Sequence, residues 1–342
     1  MRSKGESSNK HPIPSKNASP LTYSAFDVPF ELTVIPEAVR RHFEVVYYHF
    51  KQTNSRQRKV SRLLFEIRQS RDGAPIEVVV AGIGEINLSR IFQRGSNRHR
   101  FTVVQSEKGE KILDRFLGNR WVMTIRGNSC QILDPDRSAA YAESIVFHTV
   151  LSQVSDHYLL HAGAVSKNHR AVILCGNANS GKTTLTLGLV RAGFKFLTDE
   201  VALIDHDSSM VLPFPRALGI RKKTAEMFPE MERRVFGHPT QALSGDEKLL
   251  IDAEQMYPGC LGDACMPSML LFLEGFASRT QLESLPKSEA VLKCLSFAHT
   301  AEGDVFKSMM TTSGIIERLR CYHLTLGPVD EVVQILSDTM EE

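Results

Sequence analysis

Gly176-Asn177-Ala178-Asn179-Ser180-Gly181-Lys182-Thr183 carries Gly, Gly, Lys and Thr at the four fixed positions of G-x-x-x-x-G-K-[ST]. The apolar run Ala171-Val172-Ile173-Leu174-Cys175 precedes it and reads as a buried strand, and Thr184-Leu185-Thr186-Leu187-Gly188-Leu189-Val190 follows as a helix. Two glycines let the backbone turn so that successive N–H groups point inward, and the positive end of the helix adds to that cradle for phosphate oxygens. Lys182 places a point charge at the β- and γ-phosphates, and the Thr183 hydroxyl is set to ligate Mg2+. A plain glycine-bearing turn with a solvated lysine needs none of this context. Residues Gly176 through Thr184 are therefore expected to bind a nucleoside triphosphate, ATP, with Mg2+.

After the helix, Gly193 is a stop signal and Phe194 to Leu197 reads as a strand. Thr198-Asp199-Glu200 then falls at its carboxyl end, where open α/β sheets present ligand-binding residues. Only sixteen residues separate Lys182 from Asp199, one helix and one strand. An isolated acidic pair is usually a solvated turn or cap. Here its position puts it near the γ-phosphate, and phosphoryl transfer to a hydroxyl needs one carboxylate to accept a proton and an acidic group to hold the metal. Before the loop, residues 157–165 read as one strand that places His161 next to it. By spacing alone, His161 is a satisfied histidine on a half-buried strand.

Composition limits the alternatives. At 342 residues, 42% hydrophobic and 23% charged, the chain has the balance of a globular protein with room for two domains. No apolar run reaches membrane-spanning length, and Met1 to Ser8 lacks the apolar core of a secretory signal, so a cytoplasmic location and no membrane partner are expected. Six scattered cysteines, the nearest being Cys260 and Cys265, suggest reduced thiols rather than a zinc or disulfide framework. Residues 1–135 carry 22 Lys and Arg against 13 Asp and Glu, whereas the remainder carry 19 against 26. The basic clusters Arg56 to Lys59 and Arg94 to Arg100 lack interleaved aromatics, so solvated loops are expected there rather than nucleic-acid binding.

Residues 1–25 are rich in Ser, Asn, Pro and Lys and read as a disordered tail. Residues 26–135 give short β-type runs at 29–35, 61–67, 76–81, 101–105, 121–125 and 129–133, with a helix from about Pro36 to Tyr48: an N-terminal, β-rich α+β domain without a readable role. Gly82-Ile83-Gly84 reads as a strand-end turn. A helix from Asp134 to Ser155 leads into residues 136–342, read as an α/β P-loop domain. There Met269 to Leu273 is a buried strand, Lys287 to Ala298 a helix, Cys321 to Leu326 a last strand and Pro328 to Met340 a closing helix. Asp246-Glu247-Lys248 reads as a solvated loop.

His161-Ala162-Gly163, the loop, Leu197-Thr198-Asp199-Glu200 and Pro215-Arg216-Ala217-Leu218-Gly219-Ile220 together resemble the C-terminal catalytic domain of HPr kinase/phosphorylase. The closest likeness is to the HPr-kinase-related proteins, which include kinases of ribosomally made peptides. The resemblance spans about residues 145–340 and implies a nucleotide-binding core similar to that of phosphoenolpyruvate carboxykinase. It implies Asp199 as the base toward the attacking hydroxyl, Glu200 in place of the family's second Asp, His161 near the reacting phosphate, and Arg216 as a basic residue at that phosphate. Phe214 stands where the family carries a magnesium-binding glutamate, which leaves the metal to Thr183, Glu200 and water. Ala217 replaces a family glycine, and the family's phosphorolysis segment has no counterpart, so reverse activity is not expected.

The expectation is an ATP- and Mg2+-dependent kinase acting on a Ser/Thr hydroxyl of a protein or peptide. The N-terminal domain has no likeness to that of the HPr enzymes, so HPr itself is not the expected acceptor. A kinase of a small-molecule alcohol and a nucleotide-sensing binding module are the alternatives. A homo-oligomer is left open.

Overall fold

In the computed structural model, the residues described are 19–25, 27–34, 36–51, 62–70, 75–81, 87–92, 100–107, 109–154, 157–231, 238–241, 247–299 and 305–341. Gly82-Ile83-Gly84, Phe26, Arg56 to Lys59, Arg94 to His99 and Asp246 lie outside them.

The first eight strands are β1 (Leu21–Ala25), β2 (Val28–Val34), β3 (Leu63–Arg68), β4 (Ile76–Ala81), β5 (Phe101–Ser106), β6 (Gly109–Asp114), β7 (Arg120–Arg126) and β8 (Ser129–Ile132). They form one sheet in the order β1-β2-β3-β4-β8-β7-β6-β5. The alternation in β2 shows why: Phe30, Leu32 and Val34 turn inward, while Pro29, Glu31 and Thr33 do not. The expected tail through residue 25 is corrected by β1, which pairs antiparallel with β2 from Leu21 opposite Leu32 to Ala25 opposite Val28.

Helix Glu37–Val46 buries Val39, Phe43 and Val46 on one stripe against this sheet. Helix Ser138–Leu151 is buried nearly all round, because it lies between layers. Its Tyr141, Ile145, Phe147 and Val150 join the core under the first sheet, and that core runs on to Leu159, Val201, Leu203 and Phe214 of the later chain. The helix is shorter than the Asp134–Ser155 span expected. In the turn before it, Asp134 Oδ1 accepts from the N–H groups of Asp136 at 3.1 Å and Arg137 at 3.2 Å.

The second large sheet has the order β12 (Lys195–Thr198), β10 (Ala162–Lys167), β11 (Arg170–Cys175), β18 (Met266–Phe276), β20 (Arg320–Leu326) and β19 (Gln281–Ser284). Strands β11, β18 and β20 run parallel, as buried apolar runs such as Ala171-Val172-Ile173-Leu174-Cys175 do when helices cover both faces. Helices Lys182–Arg191 and Val329–Glu341 cover one face, and helices Lys287–Leu295 and Val305–Glu317 lie on the other side.

Two three-stranded sheets complete the fold: β14 (Val211–Leu212), β13 (Ala202–Asp205) and β9 (His157–Leu160), and β15 (Leu218–Arg221), β17 (Glu247–Ile251) and β16 (His238–Gln241). The single strand expected over 157–165 is in fact two. It breaks at His161, with β9 pairing with β13 and β10 entering the large sheet. Glu247 and Lys248, expected in a loop, open β17. The whole is a mixed α/β architecture. All six cysteines are free and buried, and among the described residues no helix is long and apolar enough to cross a membrane.

Candidate active site

Strand β12, reached through the loop helix, is not the neighbour of β11; β10 lies between them. Both pair antiparallel with β10, so β11 and β12 run in the same direction and their carboxyl ends share one edge. That edge collects His161, the loop 176–181 and the acidic pair. Gly163 on β10 lets the loop helix lie close, since a Cβ there would come within 3.1 Å of Thr186 Oγ1.

The loop turns through Asn179 at φ 67° and Gly181 at φ 94°. Gly181 has a second reason to be glycine: an added Cβ would lie 2.6 Å from Leu326 Cδ1. No side chain caps the helix that begins at Lys182, which leaves its first amides free for an anion. Lys182 is buried, with its ammonium donating to the carbonyls of Gly176 and, at 3.2 Å, Asn177. Burial lowers its pKa, and Asp199 opposes that effect.

Asp199 Oδ2 accepts the Thr183 hydroxyl at 2.8 Å, while its Oδ1 is buried with no hydrogen-bond partner. Burial pushes the carboxyl up to about 6, against the pull of Thr183 and Lys182. Glu200 points elsewhere, its Oε2 taking Arg216 Nη1 at 2.8 Å. Its backbone carbonyl is pinned by Ala162 N–H at 3.1 Å, so consecutive acids face different partners. Burial raises the Glu200 carboxyl, but Arg216 and then His161 outweigh it and hold the pKa below the usual value.

His161 lines the cleft beside Lys182, and its backbone N–H donates to Phe297 O at 2.8 Å. Its imidazole lies 6.3 Å from that of His299, which in turn lies 6.2 Å from His148. Burial, then Lys182, bring His161 down to about 4, and burial brings His148 to about 3, so both rings are neutral near pH 7. His161 can therefore offer the phosphates a hydrogen bond but not a positive charge.

Arg216 is at the site, yet both its Nη groups are taken, Nη1 by Glu200 and Nη2 by Glu143. The guanidinium, expected at the reacting phosphate, shares its charge with these two carboxylates. The residues missed in the sequence are Glu143 and Tyr47, together with Lys248 on β17 and Arg221 on β15. Lys248 acts electrostatically on both Asp199 and Glu200, and Arg221 Nη1 donates to Asn179 Oδ1 of the loop. The signal for these two was available in the cation-rich turn of β15 and in the strand character of β17. Nothing local marks Glu143.

His161, the loop, Asp199, Glu200, Arg216, Glu143, Arg221 and Lys248 line one cleft of about 1020 Å³ that also takes in His42, Val46 and Ala140 from the helices on the first sheet. Among the described residues no cluster of three or more His, Cys, Asp or Glu side chains is placed to hold a metal. A magnesium ion beside phosphates needs only one or two carboxylates. The Thr183 hydroxyl, beside the acidic pair, fits that demand. Glu200, expected as a ligand with Thr183, gives its Oε2 to Arg216.

No family model matches the chain, and no curated protein matches it. Among solved structures, the HPr(Ser) kinase/phosphatase from Coxiella burnetii aligns with 54% of this chain and 99% of its own length, at 11% identity and a TM-score of 0.26. An overlap that loose transfers no residue's role. The chemistry has to come from the side chains themselves.

Proposed function

We propose that this chain is an ATP-dependent kinase that phosphorylates a Ser or Thr hydroxyl of a protein or peptide. The observation that carries the reading is the Asp199 carboxylate, 2.8 Å from the Thr183 hydroxyl of a phosphate loop and raised to about 6 by burial. ATP with Mg2+ supplies the phosphoryl group and spreads its charge. Asp199 takes the acceptor's proton as the hydroxyl oxygen bonds to the γ-phosphorus and the bond to the β–γ bridging oxygen breaks, releasing ADP. Thr183 with water would hold the metal, leaving Asp199 Oδ1 open to the acceptor hydroxyl, and Lys182 together with the loop amides would bind the phosphates. His161 supplies a neutral hydrogen-bonding group. The cleft extends past Asp199 onto the first-sheet helices, which leaves room for a bulky acceptor.

Incubation of the whole chain with γ-labelled ATP and Ser- or Thr-containing peptides is the direct test. Label on peptide supports the reading; label on a metabolite alcohol favours a small-molecule kinase, and tight nucleotide binding without transfer favours a sensing module. The pH dependence follows from the raised pKa. Asp199 is a base only when ionised, so kcat/KM should fall about tenfold per unit as pH drops below about 6. An acidic limb set near 4 would instead point to an unperturbed carboxylate.

A further inference from the structure

Arg216 is held by both Nη groups, while its Nε is buried without a hydrogen-bond partner. Its Nη2 pairs with Glu143 Oε1, and its Nη1 pairs with Glu200 Oε2 at 2.8 Å. The guanidinium lies 4.1 Å from the ring centroid of Phe147, with Tyr47 at 5.5 Å and Phe214 at 5.9 Å. Only 10% of the side chain is exposed. Glu143 is fixed in turn by the Tyr47 hydroxyl, which donates to its Oε1 at 3.1 Å. Tyr47 and Glu143 belong to the layer under the first sheet, whereas Glu200 and Arg216 belong to the later chain. Thus the connection crosses between the two halves of the molecule.

A guanidinium gripped in this way cannot swing out to a phosphate without leaving the buried Glu143 carboxylate uncompensated, which is costly. Its planar fork instead transmits geometry, each end fixing the direction of the other. Burial raises the Glu143 pKa, and Arg216 opposes this, so the pair is mutually dependent.

We propose that Glu143 is a positioning residue for phosphoryl transfer: it locks Arg216 so that Arg216 holds Glu200 off the Thr183–Asp199 pair, leaving Asp199 as the acid bonded to the phosphate-loop threonine. This rests on the kinase reading. It gives the basic first part of the chain a share in the site through Tyr47, whose hydroxyl supports Glu143.

Glu143→Gln keeps the shape and an acceptor oxygen but removes the charge. With the whole chain, kcat should fall about 30-fold while KM for ATP stays within about twofold, because misplacement away from the nucleotide penalises the chemical step rather than binding. The guanidinium gives a second readout by NMR of 15N-arginine-labelled protein, with the Arg216 signals assigned by their loss in Arg216→Lys. The parent should show separate, slowly exchanging Nη resonances, and Glu143→Gln should merge them. Parent-like kcat with separate Nη signals in Glu143→Gln overturns the proposal. So does a rise in KM for ATP that matches the whole loss in kcat/KM. Should that variant not fold, Tyr47→Phe removes only the supporting hydrogen bond. It should lower kcat about fivefold with unchanged KM, in line with one charge-assisted hydrogen bond; no change in kcat overturns the proposal. A parent that transfers no phosphate to any acceptor defeats the kinase reading on its own, while the guanidinium spectra still decide whether Glu143 fixes Arg216.

Discussion

Asp199→Asn is expected to lower phosphoryl transfer about 10³-fold while ATP binding stays close to the parent value and the melting temperature rises. The loss follows from removing the one carboxylate oxygen that is buried, unpartnered and beside the loop threonine. Binding is spared because Asn Oδ1 still accepts the Thr183 hydroxyl and the loop amides are untouched. The gain in stability follows from linkage. Burial raises the Asp199 carboxyl from 3.8 to about 6, so between those values the folded state binds its proton more tightly than the unfolded chain does. Ionising it through that window lowers stability as pH rises. The cost at neutral pH is at most about 3 kcal/mol, and less for a side chain that is partly exposed. A neutral amide removes it. Activity lost with stability gained marks a residue retained for chemistry. Parent-like turnover in Asp199→Asn eliminates it as the proton acceptor, and a fall in both quantities indicates a damaged fold instead. Steady-state kinetics, nucleotide titration and thermal melts on one preparation separate the three outcomes.

The phosphate loop was legible because all its requirements are local: two backbone turns, one strand before and one helix after. Asp199 was legible for a related reason, since one helix returns the chain to the edge it left. Strand order was not. That β12 pairs with the far side of β10 depends on Gly163 admitting the loop helix and on the break at His161, and neither leaves a periodic mark. The two small sheets were missed because strands of two to five residues carry too little alternation to read. Leu21–Ala25 was taken for tail because Thr22 and Ser24, its polar face, resemble the segment before it. The partner of Glu200 was not legible for a different reason. Its partner is decided by Arg216, and Arg216 is aimed by Glu143, which lies seventy-three residues earlier in the chain and is itself held by Tyr47 ninety-six residues before that. Ion pairs of that range are products of the tertiary fold. Side-chain type fixes their possibility but not their choice.

Lys182→Met should weaken ATP binding about 30-fold and lower kcat about a further 10²-fold. The ammonium is buried at the mouth of the loop and donates to the Gly176 and Asn177 carbonyls, so methionine retains much of the packing but loses the charge and both hydrogen bonds. Part of that charge acts on the bound triphosphate, which makes it visible in Kd. The rest acts on the negative charge that shifts during transfer, which makes it visible in kcat. The two variants are more informative together than either alone. A kinase loses kcat in both and Kd in only one, because Asp199 meets the acceptor and Lys182 meets the nucleotide. A nucleotide-sensing module loses Kd in Lys182→Met and shows no change in any measured activity with Asp199→Asn.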